Sequence, residues 1–355
     1  MFTSITIFQV QAGMPSSASE LEGVLKDHPF RPTGPTQDLS VGWVPPREEN
    51  GALVESINGQ WIANMAMETR SVPSSAINDL VDERATAIEE QTGRKPGKKE
   101  RKNLKEECLL ELLPKAFPKK SRTVIWLNKD KNWLIINSTS SSKTDQIITQ
   151  LVRLLPNFTC SRVNTVASPL ACMAAWLEQK DAPGSLDFGN TLEMKAQDDT
   201  KASVKFGSHY LLGDEVSQHL AIGKMPVRMG LVWDGKVNFT LDGEMRLTKL
   251  KFAIEKEPSD ESADFFDGSV AIETGELTIL IEGLLESLGG QAPMQGVVET
   301  TPTSEGVSKQ DSGDKVAAAD SAPWDATPAV ISQGDVSLAD IQGNADALAG
   351  AELHA

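Results

Sequence analysis

The segment VRMGLVWDGKVNFTLDGEMRLTKLKFA, residues 227–253, alternates apolar and polar side chains and is broken twice by Asp-Gly, at Asp234-Gly235 and Asp242-Gly243. A period of two places alternate side chains on opposite faces of a strand, and Asp-Gly supplies the positive φ of a two-residue hairpin turn. A three-stranded antiparallel meander is therefore predicted, with Lys249 and Lys251 on one face and Leu250 and Phe252 on the other. Whatever else the chain does, it must build on an antiparallel sheet.

The remaining runs keep strand and helix periods apart. SITIFQV and RTVIWLNKDKNWLIINST read as strands, and Asn58-Gly59 between apolar runs predicts another hairpin. PSSAINDLVDERATAIEEQTG starts on a Pro-Ser-Ser cap, carries Ile77, Leu80, Val81 and Ile88 along one face, and ends at Gly93. KKERKNLKEECLLELLPKAF resumes the helical period until Pro114 stops it. Further helices are predicted in KTDQIITQLVRLLP, SPLACMAAWLEQK and GDEVSQHLAIGK, and the stretch ending at Gly289-Gly290 closes the body as helix. Without βα repetition the fold class is α+β with mixed antiparallel sheets. Two helices joined at GRKPG predict a protruding helical hairpin over about 74–120, and a second β-rich region spans about 158–260.

Charge divides the chain. The net charge is −16, yet residues 291–355 hold ten acids and two lysines, half of that excess. This Ala-, Gly-, Ser- and Pro-rich segment has Trp324 as its one aromatic and buries too little apolar area to offset chain entropy. It reads as a disordered acidic tail behind a folded body of residues 1–290. No run of apolar residues is long enough for a membrane span, and the alternating N-terminus reads as a strand, not a signal peptide. Cysteines 108, 160 and 172 are odd in number and show no CxxC spacing, which fits free thiols in the cytoplasm.

Against that acidity, RKPGKKERKNLK at 94–105 packs seven cations around the single acid Glu100. From Arg94 to Arg122 there are eleven Lys/Arg and four Glu; the set includes Lys95, Lys98, Lys99, Arg101, Lys102, Lys119 and Lys120. Cations along one face gain by releasing counterions condensed on a nucleic-acid duplex, and about six phosphate contacts would give a log–log salt slope near −5. The alternative is a solvated helix face whose lysines pair with nearby Glu. A second group, Lys205, Lys224, Arg228, Lys236, Arg246, Lys249 and Lys251, accompanies the meander; edge-strand protection is its other explanation. Phe117, between Pro114 and Pro118, either folds onto the core or protrudes as a contact residue.

Catalytic signals are sparse. His28, His209, His219 and His354 lack ligand spacing, and no phosphate-loop, dinucleotide, nucleophile-elbow or zincin motif occurs. Asp267, Glu273 and Glu276 fall on one amphipathic helix, where carboxylates ordinarily form a solvated face. No metal, cofactor or catalytic residue is assigned.

Five phrases, in order, resemble one family, the bacterial recombination-associated protein RdgC. They are GWVPP at Gly42–Pro46, LKEECLLELLPKAF at Leu104–Phe117 followed by TVIWL, HLAIGK at His219–Lys224, MRLTKLKF at Met245–Phe252, and DFFDGSVAIETGEL at Asp264–Leu277. The resemblance implies a non-enzymatic, nucleoid-associated protein that binds double-stranded DNA, and single-stranded DNA as a second ligand, with little sequence preference. It implies a ring-forming homodimer with a cationic hole that limits access of RecA to DNA during recombination and fork repair. By the same likeness Phe117 falls in a subunit interface and Lys224 faces DNA, while Ser208 and His209 stand where some relatives carry Lys and Gln. A different class of function, a protein-interaction module whose basic hairpin docks an acidic nucleoid partner, remains the alternative.

Overall fold

A computed structural model describes residues 1–47, 51–253 and 263–293. The first part of the chain supplies β1 (Ser4–Ala12), α1 (Ala18–Lys26), β2 (Leu39–Val44), β3 (Val54–Ile57), β4 (Gln60–Arg70), α2 (Ser74–Thr92), α3 (Lys98–Leu112), β5 (Pro118–Asn128), β6 (Trp133–Ile136) and α4 (Ser141–Leu154). Then come β7 (Thr159–Arg162), α5 (Pro169–Gln179), β8 (Leu186–Ala196), β9 (Ser203–Gly207) and α6 (Asp214–Ala221). The meander β10 (Lys224–Trp233), β11 (Val237–Asp242) and β12 (Leu247–Phe252) precedes α7 (Ala263–Ser287). The fold is α+β, with seven α-helices among the described residues.

Where several sheets were expected, the twelve strands form one continuous sheet in the order β2-β4-β5-β6-β1-β12-β11-β10-β8-β9, with β3 beside β4 and β7 beside β1. β1 makes it continuous. Ser4 and Ile5 pair with β12, Thr6 to Gln9 with β6, and Phe8 to Ala12 with β7, all antiparallel. Alternation along the central strands feeds two cores. Ile5, Ile7, Trp133 and Ile135 enter the larger one, with α5 and α7; Phe8, Val10, Leu134 and Ile136 enter the other, with α1 and α4. A third, small core joins α2 to α3 through Ile77, Val81, Leu104 and Cys108.

Local chemistry explains the turns. Asn58 (φ 48°) and Gly59 (φ 78°) make the tight left-handed turn between β3 and β4, as do Asp234 (φ 47°) and Gly235 (φ 66°) between β10 and β11. The second Asp-Gly behaves differently. Asp242 is buried and its carboxylate accepts the N–H groups of Glu244 (2.9 Å) and Arg246 (3.0 Å) and Nε of Arg246 (2.7 Å), holding a longer turn. The regular alternation of β12 also fails at one position. Asn238 pairs with Lys251 and Thr240 with Thr248, so β12 carries one extra residue, and Lys249 takes a left-handed φ of 55°. This bulge lets Leu247 and Leu250 enter the same core although they are three apart. Lys249 and Lys251 are both exposed, but strand alternation is not the reason.

The three cysteines are unpaired, and burial pushes the Cys160 thiol up to about 11. No helix of the described residues is long and apolar enough to cross a membrane. The acidic segment read as a disordered tail lies outside the described residues, apart from positions 291–293.

Candidate nucleic-acid interface

The cations of 94–105 sit on α3 and on the five residues that link it to α2. α2 stops because Gly93 takes a left-handed φ of 72° and returns its N–H to Glu89. Glu100, the one acid of the run, sits in the first turn of α3 and reaches back to the N–H of Gly97 at 3.3 Å, which satisfies a free helix-start donor. It also lies 3.4 Å from Arg94. Lys95 lies 3.9 Å from Glu89, Lys102 3.9 Å from Glu106, and Arg101 pairs with Asp82 across the two helices. Part of the charge is thus matched on the protein, as the solvated-face explanation expects. The pairs are exposed, and such contacts contribute about 0–1 kcal/mol, too little to hold a cation against a polyanion. Lys98, Lys99 and Lys105 are exposed with no carboxylate partner among the described residues.

The chain then tightens into a 3-10 turn, Leu113–Lys115, and enters β5. Lys119, Lys120 and Arg122 at the start of β5 are exposed. In register they oppose Thr69, Glu68 and Ala66 of β4, and the Lys120 ammonium lies 4.4 Å from the centre of the Phe30 ring. Phe117 is 94% exposed, so the core position is ruled out for it.

A network that sequence patterns do not reveal holds Phe117 in place. Glu68 is buried and accepts both the N–H (2.9 Å) and the hydroxyl (2.6 Å) of Thr33; these bonds, with Arg70 and Lys120 nearby, hold its carboxyl below the ordinary range. Arg70 donates from Nε to Thr33 Oγ1 at 3.0 Å and from Nη1 to the carbonyls of Pro114 (3.3 Å) and Ala116 (3.2 Å). These residues stand 35 or more positions apart in pairs, and the one signal for them was a charged pair ending an otherwise apolar strand.

The second cationic group lies on β9, β10, β12 and the turns of the meander. Lys205 and Arg228 share Glu193 at 3.6 and 3.4 Å. Lys224 points its ammonium at His219 Nδ1, 3.2 Å away, and is half-buried. His209 stacks on Phe206 (5.1 Å between ring centres) and faces Glu215 at 3.3 Å. No hydrogen bond or ion pair among the described residues links this group to the α3–β5 group.

Asp267, Glu273 and Glu276 of α7 are not one uniformly solvated face. Glu273 is buried and accepts from the Met1 amino group (2.6 Å) and the Phe2 N–H (2.8 Å), which fastens the start of β1 to α7. Asp267 pairs with Arg47, and Glu276 lies 3.8 Å from Lys236. Among the described residues no three His, Cys, Asp or Glu side chains converge as metal ligands.

A family model described as "Putative exonuclease, RdgC" matches residues 1–291. The chain belongs to the RdgC family. A relative named recombination-associated protein RdgC from Dechloromonas aromatica is 36% identical over 82% of this chain and 98% of its own length. Proteins of the same name from Herminiimonas arsenicoxydans and Cupriavidus necator are 33% and 32% identical over the same shares. The RdgC match ends at residue 291, where the acidic segment starts.

Proposed function

We propose that this RdgC-family chain binds duplex DNA without sequence preference as a ring-shaped homodimer, and that by surrounding or coating DNA it limits the access of RecA. The observation that carries this reading is a group of exposed cations with no carboxylate partner among the described residues, Lys98, Lys99 and Lys105 on α3 and Lys119 and Arg122 on β5, joined by the exposed Lys120 beside Glu68. In a family named for recombination, such a group on a strongly acidic chain is a phosphate-binding surface. α2 and α3 act as a helical hairpin that carries Lys98 and Lys99 to its tip. Phe117 supplies an apolar contact for a second copy, which closes the ring and brings Lys205, Lys224, Lys249 and Lys251 to the same inner wall.

We assign no catalytic step to the chain, and the exonuclease of the family description is the reading to test against. Fluorescence anisotropy with several unrelated duplexes, at salt graded from about 50 to 200 mM, is the experiment. Similar affinity for all sequences and a log–log slope near −5 are expected; little binding near 100 mM salt would favour docking of an acidic protein instead. Release of nucleotides from end-labelled duplex with magnesium or manganese, lost on removing the metal, would overturn the non-enzymatic role.

A further inference from the structure

A cleft of about 400 Å³ opens between the end of α1, strand β2 and the end of α4, on the side of the sheet that packs α1 and α4. Asp27, His28, Arg31, Trp43, Gln150 and Arg153 line it. Trp43 is 2% exposed, and its indole Nε1 has no hydrogen-bond acceptor in the protein. Buried donors without acceptors are rare, and this one belongs to a residue that borders the cleft.

The frame around that donor is fixed. The backbone N–H of Trp43 bonds the His28 carbonyl and the backbone N–H of Phe30 bonds the Trp43 carbonyl, each at 3.0 Å. The close approach depends on Gly42, where a Cβ would lie 2.3 Å from the Phe30 Cα. The backbone carrying Arg31 is therefore pinned to the strand that carries the indole. Across the cleft Arg153 stands in the last turn of α4. The opposing negative features are the Asp27 carboxylate and the carbonyl ends of α1 and α4. Two guanidinium groups, the Gln150 amide and the His28 ring make the cleft rich in donors.

We propose that this cleft is a phosphate-binding site, distinct from the cations of α3 and β5, in which Arg31 and Arg153 clamp the anion beside Trp43. Guanidinium forks match the paired oxygens of a phosphate. The volume leaves room beside the anion for the rest of a nucleotide. The phosphate can come from a free phosphate or mononucleotide, or from the backbone of bound DNA.

The test uses the full chain labelled with 5-fluorotryptophan, with Trp43→Phe assigning its resonance among the seven tryptophans. Titration with inorganic phosphate at constant ionic strength should shift the Trp43 resonance saturably in the millimolar range or below, with no response to chloride. Arg31→Ala with Arg153→Ala, both at exposed positions, should weaken that response at least tenfold without changing the circular dichroism. A mononucleotide that shifts the resonance while a duplex does not identifies a small-molecule site; a duplex that shifts it in an Arg153-dependent way identifies the DNA backbone. No shift with any of the three ligands, or a shift indifferent to both arginines, overturns the proposal. Duplex binding through α3 and β5 would survive that failure, since it rests on other residues.

Discussion

Arg70 donates a hydrogen bond to the backbone carbonyl of Ala116, at 3.2 Å, one residue before the almost fully exposed Phe117. The same guanidinium is held by Thr33, and Thr33 by the buried carboxylate of Glu68. A large aromatic in water gains nothing for the monomer, whereas an aromatic on a fixed backbone gives up little entropy when it enters a partner's pocket. The network thus links the end of β4 to the placement of one exposed aromatic.

Phe117→Ser should leave the monomer's denaturation midpoint within about 0.5 kcal/mol of the parent, because nothing packs on the side chain. The proposed homodimer should loosen by about 2 kcal/mol or more, roughly 30-fold in dissociation constant. Sedimentation across a concentration series measures this. An unchanged dimer would show that self-association uses another surface.

Glu68 gives the network a pH signature. Its pKa is lowered in the fold, first by the Thr33 hydroxyl. A lowered carboxylate adds stability that is complete above its ordinary pKa and is lost as pH falls through the folded value. Glu68→Gln should therefore be less stable than the parent near pH 7, and the two urea midpoints should converge as the pH falls through the folded pKa of Glu68. A gap of equal size at both ends of that range would mean that packing, not charge, is what Glu68 contributes.

Not all the cations of α3 should count equally toward DNA. Lys98 and Lys99 have no carboxylate partner among the described residues, whereas Arg101 is engaged by Asp82. Lys98→Glu with Lys99→Glu should lower affinity for unrelated duplexes alike and reduce the salt slope by about 2, at roughly 0.9 for each phosphate that is no longer neutralised. Arg101→Glu should reduce the slope less and slightly destabilise the α2–α3 pair, since it sets a carboxylate against Asp82. Equal slopes for both variants, or weakening confined to one sequence, would contradict this ranking.

Much of this molecule was legible from residue patterns because local rules set it. The Asn58-Gly59 and Asp234-Gly235 turns, the Gly93 helix stop and the β10–β11 hairpin follow from φ preferences and period alone. What escaped depends on partners distant in the chain. Glu273 reads as a surface acid until β1 brings the Met1 amino group to it, 272 residues away in sequence. Thr33, Glu68 and Arg70 carry no motif, and they meet only once the loop before β2 has folded against the end of β4. The β12 bulge is equally silent, because the extra residue is required by simultaneous pairing to β1 and β11. The Leu250 N–H bonds the Thr3 carbonyl at 2.9 Å, and that long-range bond breaks the alternation.

Two glycines of α7 should respond to alanine with opposite signs. Both substitutions gain up to about 1 kcal/mol of helix propensity, so the surroundings decide the outcome. At Gly275 a Cβ meets no atom within 4 Å, and the position is exposed. At Gly283 a Cβ would lie 2.1 Å from Trp233 Cη2, on a ring that is 7% exposed and wedged in the larger core. The indole has no open space to swing into, so helix and strand must separate, at an overpacking cost of about 1–3 kcal/mol. Gly275→Ala should raise the urea midpoint by an amount equivalent to about 0.5–1 kcal/mol, and Gly283→Ala should lower it by about 1–2 kcal/mol. Stabilisation by both would show that α7 does not press on Trp233, and the tight helix–sheet contact at that ring would have to be abandoned.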